Sequence, residues 1–236
     1  MRCAHRRAMN AFELTGRART HVVQHDAPRC AAHPEALRAF LNLRAAAALD
    51  RFDLRPVSSF RDFAMQCRIW NQKFLGDRPL YDCDGEVIDH AALSQDEIVT
   101  RILAWSAIPG GSRHHWGSEF DVVDMASVPA DYHVRLLPEE TQPGGVFHQL
   151  HEWLGENMAR FDFFRPYARD QGGVLPEPWH ISYEPVASPA LTLLTVDVLR
   201  EALVAAALAG GALLLARLPA LYESHVRNIS SPGGWI

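Results

Sequence analysis

Cysteine is scarce in this chain. The four residues, Cys3, Cys30, Cys67 and Cys83, are scattered without a C-x-x-C pair, so they read as reduced thiols with no metal role. Excess basic charge is also missing. With 23 Lys and Arg against 28 Asp and Glu, the net charge of -5 leaves no electrostatic footprint for nucleic acid or an anionic membrane surface. Long hydrophobic runs are absent too. The longest, residues 202–216, has Gly210 and Gly211 in its middle and falls short of the ~20 residues a spanning helix needs, so it reads as a buried helix pair. The basic start M-R-C-A-H-R-R is followed by F-E-L-T-G-R-A-R-T-H, where a secretory signal requires an apolar segment. That pattern predicts a cytoplasmic protein, with Met9 as an alternative start to Met1. No repeat or low-complexity linker is visible.

What is present is ordinary for a globular chain: 236 residues, 48% hydrophobic and 22% charged, enough for one domain with an appendage. Residues 10–30 lack periodicity and read as a segment wrapping the body. Leu37, Phe40, Leu41, Leu43 and Ala48 form a stripe behind Pro34, which predicts a helix over 34–50. Residues 53–59 read as a strand leading into a helix that carries Phe63, Cys67, Trp70 and Phe74 and stops at Gly76. Residues 77–92 read as a loop, and Ser94 with Glu97 forms a capping box for a helix ending near Ser106. Residues 119–124 alternate acid and apolar as a half-buried strand does, with Glu119 and Asp121 on one face and Phe120 and Val122 on the other. After a Pro- and Gly-rich loop over 129–145, residues 146–160 are an amphipathic helix carrying Leu150, Trp153, Leu154 and Met158. Residues 174–183 read as extended, and from Ser188 the chain is helical. Strands and helices are segregated rather than in βαβ order, so the fold class is α+β.

Two stretches carry chemistry. S-R-H-H-W-G-S-E-F-D-V-V-D, residues 112–124, offers His114 and Asp121 with Gly117 between them, which lets the loop fold so that both converge. E-P-W-H, residues 177–180, adds His180 and a carboxylate at Glu177. Two His and one Asp are a three-ligand set that leaves the fourth position of a tetrahedral zinc for water, and Glu177 is the spare carboxylate able to take that water's proton. Pro178 biases Glu177 toward extended backbone, and Trp179 is an apolar anchor beside the site. Spacing alone leaves surface or hydrogen-bonded histidines as the competing reading, because the pattern lacks the compactness of H-E-x-x-H. Two other patterns are decoys. His148, His151 and Glu152 have the order H-x-x-H-E, not that of a zincin, and read as a solvated helix face. D-C-D-G-E, residues 82–86, lacks the calcium-loop ligand pattern and reads as a solvated turn.

The order S-x-H-x-x-G-x-x-x-D then E-x-W-H, with S-S-F-R-D-F-A-M-Q upstream, resembles the zinc D-alanyl-D-alanine carboxypeptidases of the vancomycin-resistance type. Their wider group includes phage L-alanyl-D-glutamate endopeptidases and the Hedgehog signalling domain. The resemblance covers roughly residues 54–183. It implies one Zn2+ on His114, Asp121 and His180, with Glu177 as general base and Arg61 stabilising the oxyanion or orienting substrate. It also implies that Ser59, Gln66, Ser112 and Trp179 line the substrate pocket. The fold it implies is a small antiparallel sheet carrying the ligands and flanked by helices, as a peptidase domain over 9–187 with a C-terminal helical extension over 188–236. The implied substrate is a small peptide or muropeptide ending in D-Ala-D-Ala. An L,D-peptidase or endopeptidase on the same site, with specificity set around Trp116, Trp179 and the 77–92 loop, and a zinc-binding module without turnover are the alternatives. Glu119 departs from the family, which has a small residue there; it either supports the site by a hydrogen bond or narrows the pocket.

Overall fold

The computed structural model describes residues 7–232, so Cys3 and Met1 lie outside it. Most elements begin where local chemistry dictates. Asn10 and Glu13 close a capping box over the short α1 (Ala11–Leu14). A hairpin of β1 (Val23–Asp26) and β2 (Arg29–Ala32) follows. Residues 10–30 are thus more regular than expected, because four-residue elements are too short to display a period. α2 (Pro34–Leu49) starts on its proline and buries Ala36, Leu37, Phe40, Leu43 and Ala47. β3 (Leu54–Ser58) leads to the N-cap Asp62 of α3 (Phe63–Leu75), which ends at Gly76 in the left-handed region. The expected 77–92 loop contains a small hairpin, β4 (Leu80–Tyr81) with β5 (Val87–Ile88). The Asp82 carboxylate accepts from the N–H groups of Asp84 and Glu86, so the acids of D-C-D-G-E shape a turn.

The capping box of Ser94 and Glu97 opens α4 (Gln95–Trp105), and β6 (Glu119–Asp124), α5 (His148–Asn157), β7 (Phe163–Phe164) and β8 (His180–Tyr183) complete the central part. α5 is shorter than the predicted 146–160 helix, giving way at Met158 to a 3-10 turn. β8 runs directly into α6 (Glu184–Leu193), ahead of the expected start at Ser188, because Pro185 sits in the first turn. The apolar run 202–216 is divided between α7 (Val196–Val204) and α8 (Gly211–Leu221). Gly210 between them has φ 67°, and a Cβ there would lie 2.2 Å from Phe74 Cε2. Among the described residues no helix is long and apolar enough to cross a membrane.

The main sheet is antiparallel, in the order β3-β6-β8-β7, with helices around it in an α+β arrangement. Its apolar face, Phe120, Val122 and Ile181, packs with Phe40, Leu150, Leu154 and Phe163, and the Phe40 and Phe120 rings stack with centroids 4.3 Å apart. A second core joins Trp70, Ile102 and Trp116 to Leu199 and Leu218 of the C-terminal helices. Pro56 is tolerated because β3 is an edge strand with a register irregularity there. β6 departs from expectation: all six of its residues are buried, including the acids. It is flanked by strands on both edges, and the 3-10 turn Arg113–Trp116 packs against it.

Candidate metal centre

Strand register brings the ligand candidates together. In the β6–β8 ladder Asp121 lies directly opposite His180, and Glu119 opposite Ser182, so two acids, an imidazole and a hydroxyl share one sheet face. His114 arrives from the 3-10 turn above. That turn ends at Gly117, whose φ of 67° leaves the next residue free to enter β6. Backbone lacing fixes the approach: His114 Nδ1 donates to Ser59 O at 2.7 Å, Arg61 N donates to His114 O at 3.2 Å, and His115 Nδ1 donates to Arg61 O at 2.6 Å. These partners set the tautomers. With Nδ1–H committed to a carbonyl, His114 turns the lone pair of Nε2 toward Asp121 Oδ2, 3.3 Å away.

His180 is set the opposite way. Its Nε2 donates to Glu119 Oε2 at 2.8 Å, which leaves Nδ1 facing Asp121 Oδ1 at 3.1 Å and Glu177 Oε2 at 3.3 Å. One ligand atom from each of His114, Asp121 and His180 falls within 4.8 Å of the others, and all three residues are buried. Among the described residues Asp121 Oδ1 is buried and, although His180 Nδ1 is near, makes no hydrogen bond of good geometry, as a carboxylate oxygen reserved for an ion would. The donor set suits a tetrahedral ion with an open position. Electrostatics point the same way. Burial opposes charge on His180, yet the flanking carboxylates of Asp121, Glu119 and Glu177 outweigh it and hold its pKa well above the ordinary range. Burial likewise works against the Asp121 carboxylate, but His114 and His180 keep it well below the usual value. The centre demands positive charge.

Glu119, the departure noted in the sequence, is fully buried behind His180 and is not part of the cavity wall. It accepts from Ser118 Oγ at 2.7 Å, Ser182 Oγ at 2.8 Å and the Arg113 guanidinium at 3.4 Å. Of the two readings, the supporting hydrogen bond to a ligand is the one its contacts match. Sequence reasoning missed Arg113 and His115 altogether. His115 accepts from Gly110 N at 3.1 Å while donating to Arg61 O, and burial drives its pKa down to about 3.

A cavity of about 310 Å3 opens onto the triad, lined by Arg61, Ser112, Glu177 and Trp179 as expected, and also by Lys73, Arg78 and Tyr167. Three expected positions are corrected. Ser59 and Gln66 do not line it: Ser59 Oγ accepts from Ala31 N at 3.1 Å, and Gln66 is buried, holding Arg61 Nη1 at 2.9 Å and Ala107 O at 2.8 Å. Trp116 is buried in the helical core, donating to Leu14 O at 3.1 Å. Arg61 stands one residue before the N-cap of α3, its guanidinium fixed by Gln66 and by Ser58 Oγ at 3.1 Å. The decoy helix face needs correcting as well. His151 is buried rather than solvated, and Arg165 Nη2 donates to its carbonyl at 2.9 Å. Together with His148 and Glu152 it forms no metal-capable group among the described residues.

Comparison with known proteins agrees with the geometry. Two relatives are uncharacterized proteins of Haemophilus influenzae. One is 36% identical over 121 residues, covering 50% of this chain and 92% of the relative. The other is 40% identical over 98 residues, covering 40% and 67%. Among solved structures, VanYB in complex with D-alanine-D-alanine is 21% identical with a TM-score of 0.50, over 78% of this chain and 88% of that one. A mutant of the vancomycin-resistance D,D-pentapeptidase VanY from a VanB-type resistance cassette, in complex with Zn(II), is 21% identical with a TM-score of 0.51, over 77% and 88%. At that identity the likeness is one of fold. The VanY family, described as D-alanyl-D-alanine carboxypeptidase, matches residues 29–186, more than half of the 236 residues, and the chain therefore belongs to that family of hydrolases.

Proposed function

We propose that this protein is a zinc-dependent carboxypeptidase that removes the terminal D-alanine from peptides ending in D-Ala-D-Ala. The observation that carries this reading is the convergence of His114 Nε2, Asp121 and His180 Nδ1 beside a separate carboxylate, Glu177, at the wall of one cavity. Zinc held by those three residues would lower the pKa of a bound water from near 16 toward about 7 and polarise the scissile carbonyl. Glu177 is within reach to take a proton from the attacking water and return it to the departing amine. Arg61, pinned by Gln66 and Ser58, faces the charge that develops on the carbonyl oxygen, as an oxyanion-hole donor does. Ser112 and Trp179, on the cavity wall, would contact the substrate. The expected extension over 188–236 lies beyond the matched span; its described part, residues 188–232, is read as packed on a 9–187 peptidase domain, supported by the core shared between Trp116, Leu199 and Leu218, and residues 233–236 lie outside the described residues.

The test is release of D-alanine from a peptide ending in D-Ala-D-Ala by zinc-loaded protein, compared with Glu177→Ala. The native protein should turn over and the variant should lose turnover by about 100-fold or more while still holding one zinc. If both hold zinc and neither releases alanine, the reading fails.

A further inference from the structure

The cavity holds more positive charge than the hydrolytic reaction uses. Arg113 and Arg135 on its wall are ion-paired to Glu119 and Glu139. Arg61, Lys73 and Arg78 share the same wall, and none of these three is ion-paired among the described residues. Arg61 is committed to the reacting carbonyl, which leaves Lys73 and Arg78 without a task. Lys73 is not loose. Its Nζ donates to Ser106 Oγ at 2.6 Å, which anchors the ammonium and leaves two protons for another acceptor. It lies two turns along α3 from Gln66, the residue that grips Arg61, an axial distance of about 10 Å. Burial, with Arg78 as the next contribution, draws its pKa down to about 8 against the opposing pull of the Glu177 carboxylate. An incoming anion would relieve that unfavourable state.

We infer that Lys73, with Ser106 and Arg78, is a recognition point for a carboxylate of the peptide substrate, distinct from the group that meets Arg61. The inference rests on the hydrolase reading above. The carboxylate has two sources of the same chemistry, the α-carboxylate of the C-terminal residue or an acidic side chain further along the peptide. The competing role for Lys73 is a cation complementing the C-terminal end of α3. That role would alter thermal stability without discriminating between peptides.

Three peptides of equal length, each based on a D-Ala-D-Ala terminus, separate these cases with zinc-loaded protein. One carries a Glu side chain and a free C-terminus, the second replaces Glu by Gln, and the third is the C-terminal amide. The native protein should favour the first over one of the other two. Lys73→Met should lower kcat/KM for the first peptide about 10- to 100-fold, through KM, and abolish that preference, with partial rescue in Lys73→Arg. Whichever preference disappears identifies the carboxylate. Arg78→Met, at an exposed position, should reproduce a smaller loss if Lys73→Met fails to fold. Retention of every native preference in the variants, even with a lowered Tm, would overturn the inference. If no peptide is hydrolysed at all, calorimetric binding of the same peptides to Glu177→Gln protein, with and without Lys73→Met, still decides it. Equal affinities would then overturn this inference, and the absent hydrolysis would count against the hydrolase reading alone.

Discussion

At the scale of single residues, the centre is organised by carboxylates with different tasks. Asp121 belongs to the metal-capable triad, Glu177 stands at the cavity wall, and Glu119 is buried behind the imidazole it orients. Glu119→Gln keeps the shape but removes the charge facing His180 Nε2 and Arg113. Zinc affinity should fall by about 10- to 100-fold, as measured by competition with a chelator. An unchanged affinity would show that Glu119 serves only Arg113 and the two serines.

Among elements, the E-P-W-H segment is not a strand until His180, so something other than the sheet must hold Glu177. Tyr167 O accepts from Glu177 N at 3.0 Å, and Arg165, just after β7, donates from Nε to Pro178 O at 2.8 Å. The same guanidinium reaches back to the His151 carbonyl on α5, so it clamps the loop to a helix. Arg165→Met should therefore loosen Glu177 without touching a ligand. The expected result is a fall in kcat of about 10- to 100-fold with zinc content unchanged. A parallel loss of zinc would mean that the clamp supports the whole centre rather than Glu177.

For the whole molecule, part of the acid stability follows from buried histidines that the fold keeps neutral, His115 and His151. Burial, with Arg165 beside it, lowers the His151 pKa to about 3 from an ordinary value of 6.5. Between those values the unfolded chain binds a proton that the folded chain does not. The stability contributed by neutral His151 is thus fully present above about pH 6.5 and is lost progressively as pH falls toward 3. In His151→Gln the plot of Tm against pH should be flatter across that window, whatever its absolute height. A slope equal to that of the native protein would assign the acid limb to other groups.

Much of the fold could be read in advance because it is written locally. Pro34 and its stripe, the Ser94–Glu97 capping box, the alternation in 119–124 and the left-handed Gly117 each act within a turn or two of chain. The small hairpins over 23–32 and 80–88 escaped because elements so short have no period. The burial of the acidic face of β6 and of His151 escaped because it depends on what packs there from elsewhere in the chain. The α+β class, and the residue types of the candidate triad, were legible in the sequence alone. Only the tertiary structure decided which nitrogen each histidine offers, that Glu119 stands behind His180, that Gln66 grips Arg61 instead of lining the cavity, and that Lys73, bonded to Ser106, faces it. Those outcomes are set by partners distant in the chain that compete for the same polar atoms, and spacing along a sequence does not encode that competition.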